Sequence, residues 1–150
     1  MLEAIREGDI PGVQLRRRQR LAISPEEAWA WLSDPGKMGR WLARRAEAEE
    51  GAVLLHGEGF RERCRTVEIR PPEVWVIAFE RLDSGWPAAT RLTLRLRAAP
   101  GGCEVDVLQE GFQRLPLSIG LTTWEDYRRR WAQALADLHA LTADPSSEPV

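Results

Sequence analysis

The last long stretch of the chain, Leu121 to Thr142, limits the possible folds more than any other. Leu121, Trp124, Arg128, Trp131, Leu135, Leu138 and Thr142 recur at spacings of three and four. On a helix of 3.6 residues per turn they form one stripe. Glu125, Asp126, Arg129, Arg130, Gln133 and Asp137 make the other side polar. Two indoles on one stripe require a wide apolar partner, because each can bury roughly 150–250 Å². No other segment reads as a long helix, so the expected partner is a sheet.

The rest of the chain supplies that sheet. Val13–Ile23 alternates and reads as a first strand. Ser24-Pro25-Glu26-Glu27 then starts a helix, with serine as the cap, proline in the first turn and Glu27 at the capping-box position. That helix carries Ala28, Trp29, Trp31 and Leu32 and stops near Ser33-Asp34-Pro35-Gly36. One of Trp29 and Trp31, not both, faces inward, because the two positions diverge on a helix. Met38, Trp41 and Leu42 mark a second short helix. Strands are expected at Arg44–Glu49, Ala52–His56, Phe60–Arg70, Glu73–Leu82, Thr90–Ala98 and Cys103–Gly111, each bounded by Gly or Pro. In the clearest, Leu92, Leu94 and Leu96 alternate with Arg91, Thr93, Arg95 and Arg97, giving one dry and one wet face. Short connections imply an antiparallel meander. A loop, Phe112–Gly120, leads to the last helix, for which Thr122 and Glu125 offer a cap. The expected class is α+β: a curved antiparallel sheet of six or seven strands gripping a long C-terminal helix. One domain is expected over 13–142, with a loose lead-in over 1–12 and a flexible tail over 143–150.

Order and residues together resemble the START-like helix-grip superfamily (SRPBCC). "AISPEEAWAWLSDPGKMGRWL" resembles its opening, "RPPEVWVIAFE" its paired-proline hairpin, "VDVLQEGF" its last strand, and "WAQALADL" its final helix. The branch most resembled is that related to the activator of the ninety-kilodalton heat-shock-protein ATPase. Three positions depart from the pattern: Arg130 replaces a usual glycine, Gln109 stands where histidine is frequent, and Gly51 is alone where two glycines are usual. An acid–base role is therefore not carried over to Gln109. The resemblance implies binding of a lipophilic small molecule between the long helix and the sheet, with catalysis there in some members.

A net charge of −2 supplies no field for nucleic acid or anionic membranes. No apolar run is long enough to span a bilayer. Cys64 and Cys103 are isolated thiols without a preceding signal peptide, so a reduced, cytoplasmic setting is expected. His56 and His139 lack ligand spacing, and no triad, phosphate loop or metal motif is present, so no metal or cofactor is expected.

Arg128 falls inside the helix stripe. Either its stem packs while its head escapes to water, or it projects inward to a carboxylate, which could be Glu62 or a ligand's. In the strand from Phe60, parity leaves two faces open. Phe60, Glu62, Cys64 and Thr66 inward is preferred to Arg61, Arg63 and Arg65 inward, since cysteine is usually buried, and a bulge would reconcile both with Val67 and Ile69. Trp86 sits on a loop beside Phe112 and Leu115, either lining a pocket mouth or folded over its own hairpin. Expected ligand-lining residues are Trp41, Glu62, Trp75, Ile77, Phe79, Leu92, Leu94, Leu96, Val105, Val107, Gln109, Leu121, Trp124, Arg128 and Trp131. Arg128 and Gln109 would be the polar orienting groups. No catalytic residue is assigned. A cyclase or dehydratase using Glu62 or His56 is the enzymatic alternative. A chaperone-associated role is the other and the less expected one, and a homodimer is compatible with the sequence.

Overall fold

The computed structural model describes residues 5–143, so most of the expected tail and the first residues of the lead-in lie outside the described residues. Elements run β1 (Gln14–Leu21), α1 (Pro25–Ser33), α2 (Pro35–Trp41), β2 (Arg45–Glu49), β3 (Ala52–His56), β4 (Arg61–Arg70), β5 (Val74–Arg81), β6 (Thr90–Ala99), β7 (Gly102–Glu110) and α3 (Leu117–Thr142). A short 3-10 turn, Phe112–Arg114, precedes α3. The seven strands form one antiparallel sheet in the order β1-β7-β6-β5-β4-β3-β2. The meander therefore runs in sequence from β2 to β7, and the first strand closes against the last.

Local chemistry sets the corners. Ser24 accepts a hydrogen bond from the Glu27 N–H, and Pro25 opens α1. Asp34 serves two helices: its N–H ends α1 on the Ala30 carbonyl, and its carboxylate accepts the Lys37 N–H to start α2. Trp31 is buried, while Trp29 is half-buried against the core.

In β4, Glu62 and Cys64 face inward and Arg61 and Arg65 outward. A bulge between Thr66 and Glu68 then resets the pairing, leaving Val67 exposed and bringing Ile69 opposite Trp75. Ile69 is itself 43% exposed, so the bulge does not turn Val67 and Ile69 inward, and Glu62 and Cys64 are the buried residues of β4.

The last helix starts earlier than its stripe implies. Pro116 is its cap residue, and its carbonyl accepts the Ile119 and Gly120 N–H groups. Thr122 and Glu125 are interior positions, and Glu125 instead pairs with Arg128. Gly120 allows the first turns to approach the loop, because a Cβ there would stand 3.4 Å from the Phe112 carbonyl. The buried face comprises Gly120, Trp124, Tyr127, Arg128, Trp131, Ala134, Leu135, Leu138 and Thr142. Relative to the expected stripe it is rolled toward Tyr127 and Ala134. Leu121, expected to line a ligand site, is 57% exposed, because that roll carries it off the sheet-facing side.

Candidate functional site

The centre of the helix–sheet interface is filled. Trp131 donates from Nε1 to Gln109 Oε1 at 2.9 Å, and Gln109 donates from Nε2 to Thr90 Oγ1 at 3.0 Å. The Thr90 hydroxyl in turn donates to the Phe79 carbonyl at 3.0 Å. Both ends of the Gln109 amide are therefore engaged by the protein, whereas the sequence reading gave it a ligand-orienting role. Trp41 lies 6.4 Å from the Trp131 ring and donates to the Trp31 carbonyl. Trp75, Ile77, Phe79, Leu92, Leu94, Leu96, Val105 and Val107 are all buried beneath these indoles in one cluster. The described concavities, of about 210 to about 500 Å³, are open grooves lined by strand, loop and α1 residues and not by the sheet-facing side of α3.

On the β1 flank, Trp124 donates to the Gln14 carbonyl at 2.7 Å, and the Arg128 guanidinium sits 4.5 Å above its ring. Arg128 is buried and does find carboxylates, but Glu62 is not one of them. Among the described residues it pairs with Asp9 at 3.4 Å and Glu125 at 2.9 Å. Asp9 also takes Arg17 at 2.8 Å and the Arg16 N–H at 3.0 Å. The reading of the sequence missed Asp9 because residues 1–12 have no periodicity. Its one signal is an acidic residue in the turn-rich Gly8-Asp9-Ile10-Pro11. Burial pushes the Asp9 carboxyl up, but hydrogen bonds from Arg6, Arg16 and Arg17, with the Arg17 charge, outweigh this and hold it below 3.8. A depressed carboxyl stabilises the fold above its unfolded value, near 3.9, and loses that contribution as pH falls through the folded value. Asp9→Asn should thus melt lower than the wild type at pH 7. The gap should close progressively below about pH 4 in an acid scan, and a gap independent of pH would contradict the assignment.

The opposite flank carries a second buried carboxylate. Glu62, fully buried, accepts from the Tyr127 hydroxyl and from Arg130 Nη1 through Oε2, while Arg81 Nη2 lies 3.7 Å away. Arg130, assigned by helical spacing to the polar face, reaches around the helix and also donates to the Leu42 carbonyl at 2.8 Å. Burial, then the neighbouring Glu62 charge, pushes the Tyr127 phenol well above its usual range against the pull of Arg81 and Arg130. The protonated Tyr127 hydroxyl is the donor in its hydrogen bond to Glu62. The Phe60 ring lies beneath both guanidiniums, 4.5 Å from Arg81 and 5.1 Å from Arg130.

Aromatic rings cover this ionic cluster. Tyr127 meets Phe79 edge-on at 5.5 Å, with Phe112 and Trp86 each 6.0 Å away. Trp86 is half-buried over Phe79, a residue of its own hairpin, and over Tyr127. Of the two arrangements open to it, the folded-over one is realised, and Phe112 and Leu115 are buried instead of forming loop tips. Its loop bends sharply, with Asp83 and Gly85 both at positive φ.

His56 binds Glu47 at 2.6 Å on the β2–β3 edge, and His139 lies near the Arg20 carbonyl, so neither joins this cluster. Among the described residues, no group of three or more His, Cys, Asp or Glu side chains could hold a metal ion. No described helix is long and apolar enough to cross a membrane. Burial pushes both thiols up, Cys64 far beyond its usual range. The native protein should therefore show negligible reaction of Cys64 with a disulfide reagent over minutes, and full reaction only in denaturant.

The sequence matches the family described as activator of Hsp90 ATPase homolog 1-like protein over residues 22–143. The chain belongs to that family. No curated protein sequence matches it. Solved structures share the fold of this activator-like member. Protein CV1439 of Chromobacterium violaceum is 22% identical at a TM-score of 0.67, covering 87% of this chain and 97% of its own. The Aha1 dimer of Colwellia psychrerythraea, solved in solution, is 12% identical at 0.72, covering 87% and 96%. Protein Ms6760 of Mycobacterium smegmatis is 10% identical at 0.72, covering 95% and 98%. The helix-grip architecture of the chain is consistent with a ligand-binding domain.

Proposed function

We propose that the protein binds a lipophilic small molecule between α3 and the sheet, at the end closed by Trp86. The observation that carries this is the half-exposed Trp86 resting on Tyr127 and Phe79. Here a loop side chain, and not a strand or helix, covers the aromatic interior. Loops open at far lower cost than packed strands. In this reading Phe79 and Glu62 line the site together with Tyr127, Phe60 and Phe112. Trp41, Trp75, Ile77, Leu92, Leu94, Leu96, Val105, Val107, Gln109, Trp124, Arg128 and Trp131 form the packed support beneath and beside it.

Wild-type protein should be titrated with a panel of fatty acids, sterols and aromatic polyketides, following tryptophan emission and melting temperature. A ligand at a hundred times its Kd adds about 2.7 kcal/mol to stability. At least one class should quench emission saturably and raise the melting temperature, with much of the quench lost in Trp86→Phe. No shift with any class removes the reading.

Self-association is a second reading, favoured by Leu117 and Leu121, exposed in the first turns of α3, and by Ile10, exposed just ahead of β1. The Colwellia relative is itself described as a dimer. Sedimentation should then show a dimer that Leu117→Glu with Leu121→Glu dissociates.

A further inference from the structure

The β4–β5 ladder places Glu62 directly opposite Arg81. Each keeps one buried polar atom without a hydrogen-bond partner among the described residues: the acceptor Oε1 on Glu62 and the donor Nε on Arg81. The other Glu62 oxygen is already committed to Tyr127 and Arg130. Arg81 is held in place by the Phe60 and Tyr127 rings, 4.5 and 5.1 Å from its guanidinium carbon. The Glu62 and Arg81 side chains already approach, with Arg81 Nη2 3.7 Å from Glu62 Oε2. Unmet buried hydrogen-bonding atoms are costly to maintain. Two of opposite kind on facing residues define the group that would satisfy both.

Resting on the lipophilic-binding reading above, the geometry points to a ligand whose polar end is a neutral donor–acceptor pair. A primary carboxamide, or a hydroxyl beside a carbonyl, has this form. Its N–H or O–H donates to Glu62 Oε1, and its carbonyl oxygen accepts from Arg81 Nε. Its ring system lies against Trp86 and Phe79. A free carboxylate would bring like charge against Glu62, an ammonium would face two guanidiniums, and a hydrocarbon would leave both atoms unmet.

Four probes sharing one ring system test this: 2-naphthamide, methyl 2-naphthoate, 2-naphthoate and naphthalene. Each is titrated by NMR into the full-length wild type, Arg81→Met and Glu62→Gln. The amide should bind the wild type about tenfold or more tighter than the hydrocarbon, the worth of two net hydrogen bonds, and about threefold or more tighter than the ester, which keeps the acceptor but lacks the donor. Arg81→Met should cut the amide's preference over naphthalene by about threefold or more, while its preference over the ester, set by the donor to Glu62 Oε1, persists. Glu62→Gln, which keeps the side chain's shape, should bring the amide and the ester to within about twofold of each other. If it fails to fold, Arg81, whose side chain is 23% exposed, decides alone. Equal binding of amide and ester, as when a buried water serves both atoms, overturns the inference and leaves the lipophilic reading standing. Tightest binding of the naphthoate, or a preference for the amide over naphthalene that Arg81→Met leaves undiminished, also overturns it. Failure of every probe, naphthalene and the lipid panel included, removes the reading and the inference with it.

Discussion

Trp131→Ala should destabilise the protein by about 3–5 kcal/mol in urea or thermal unfolding, the range for large-to-small core changes. Trp131 is 2% exposed and tilted against Trp41. Its loss opens a void that rigid strands beneath cannot refill. The substitution also strands Gln109 Oε1, whose donor is the Trp131 indole, in a site without access to water. An unmet buried acceptor adds about 1–3 kcal/mol, which places the expected loss in the upper part of the range. A loss below about 1 kcal/mol would mean that the indole is not a core residue.

Glu62→Leu should cost a similar amount, about 3–5 kcal/mol, for an electrostatic reason. Removing one partner of a buried ion pair leaves the other charge desolvated and uncompensated. Here two guanidiniums are left, with Arg130 and Arg81 side chains only 20% and 23% exposed. Tyr127 also loses its acceptor. Adding Arg130→Met to Glu62→Leu should recover at least half of the loss, because an apolar pair of similar volume replaces a buried ionic one at little cost. Strict additivity of the two substitutions in a double-mutant cycle would contradict a direct pairing.

The contrast between these residues shows how far the sequence could be read. Leu92, Leu94 and Leu96 were legible because a strand's period of two separates faces without knowledge of its neighbours. Ser24-Pro25 and Asp34-Pro35 were legible because capping is local chemistry. Glu62 and Cys64 were placed inward on the same parity argument. Periodicity defines a stripe on α3 but not the roll of that stripe against the sheet. Leu121 was therefore expected inside and Arg130 outside, while Tyr127 was overlooked. Polar partnerships were less legible still. The Arg128 stripe position implied a carboxylate, but Asp9 lies more than a hundred residues away in a segment without pattern. Long arginine side chains reach across elements, so their partners depend on three-dimensional placement, not spacing. The Glu62–Arg81 facing pair likewise depends on the strand register, which the bulge at Thr66–Glu68 resets and the sequence does not reveal.

The most direct measurement is a titration of protein carrying labelled indole groups with the lipophilic panel, following each of the seven tryptophan side chains. Binding beneath the loop predicts a saturable shift of the Trp86 indole, accompanied by the Phe60 and Phe79 amides, with Trp29 unmoved. Shifts confined to Trp29 or the outer sheet face, or no saturable shift with any class, would contradict the account.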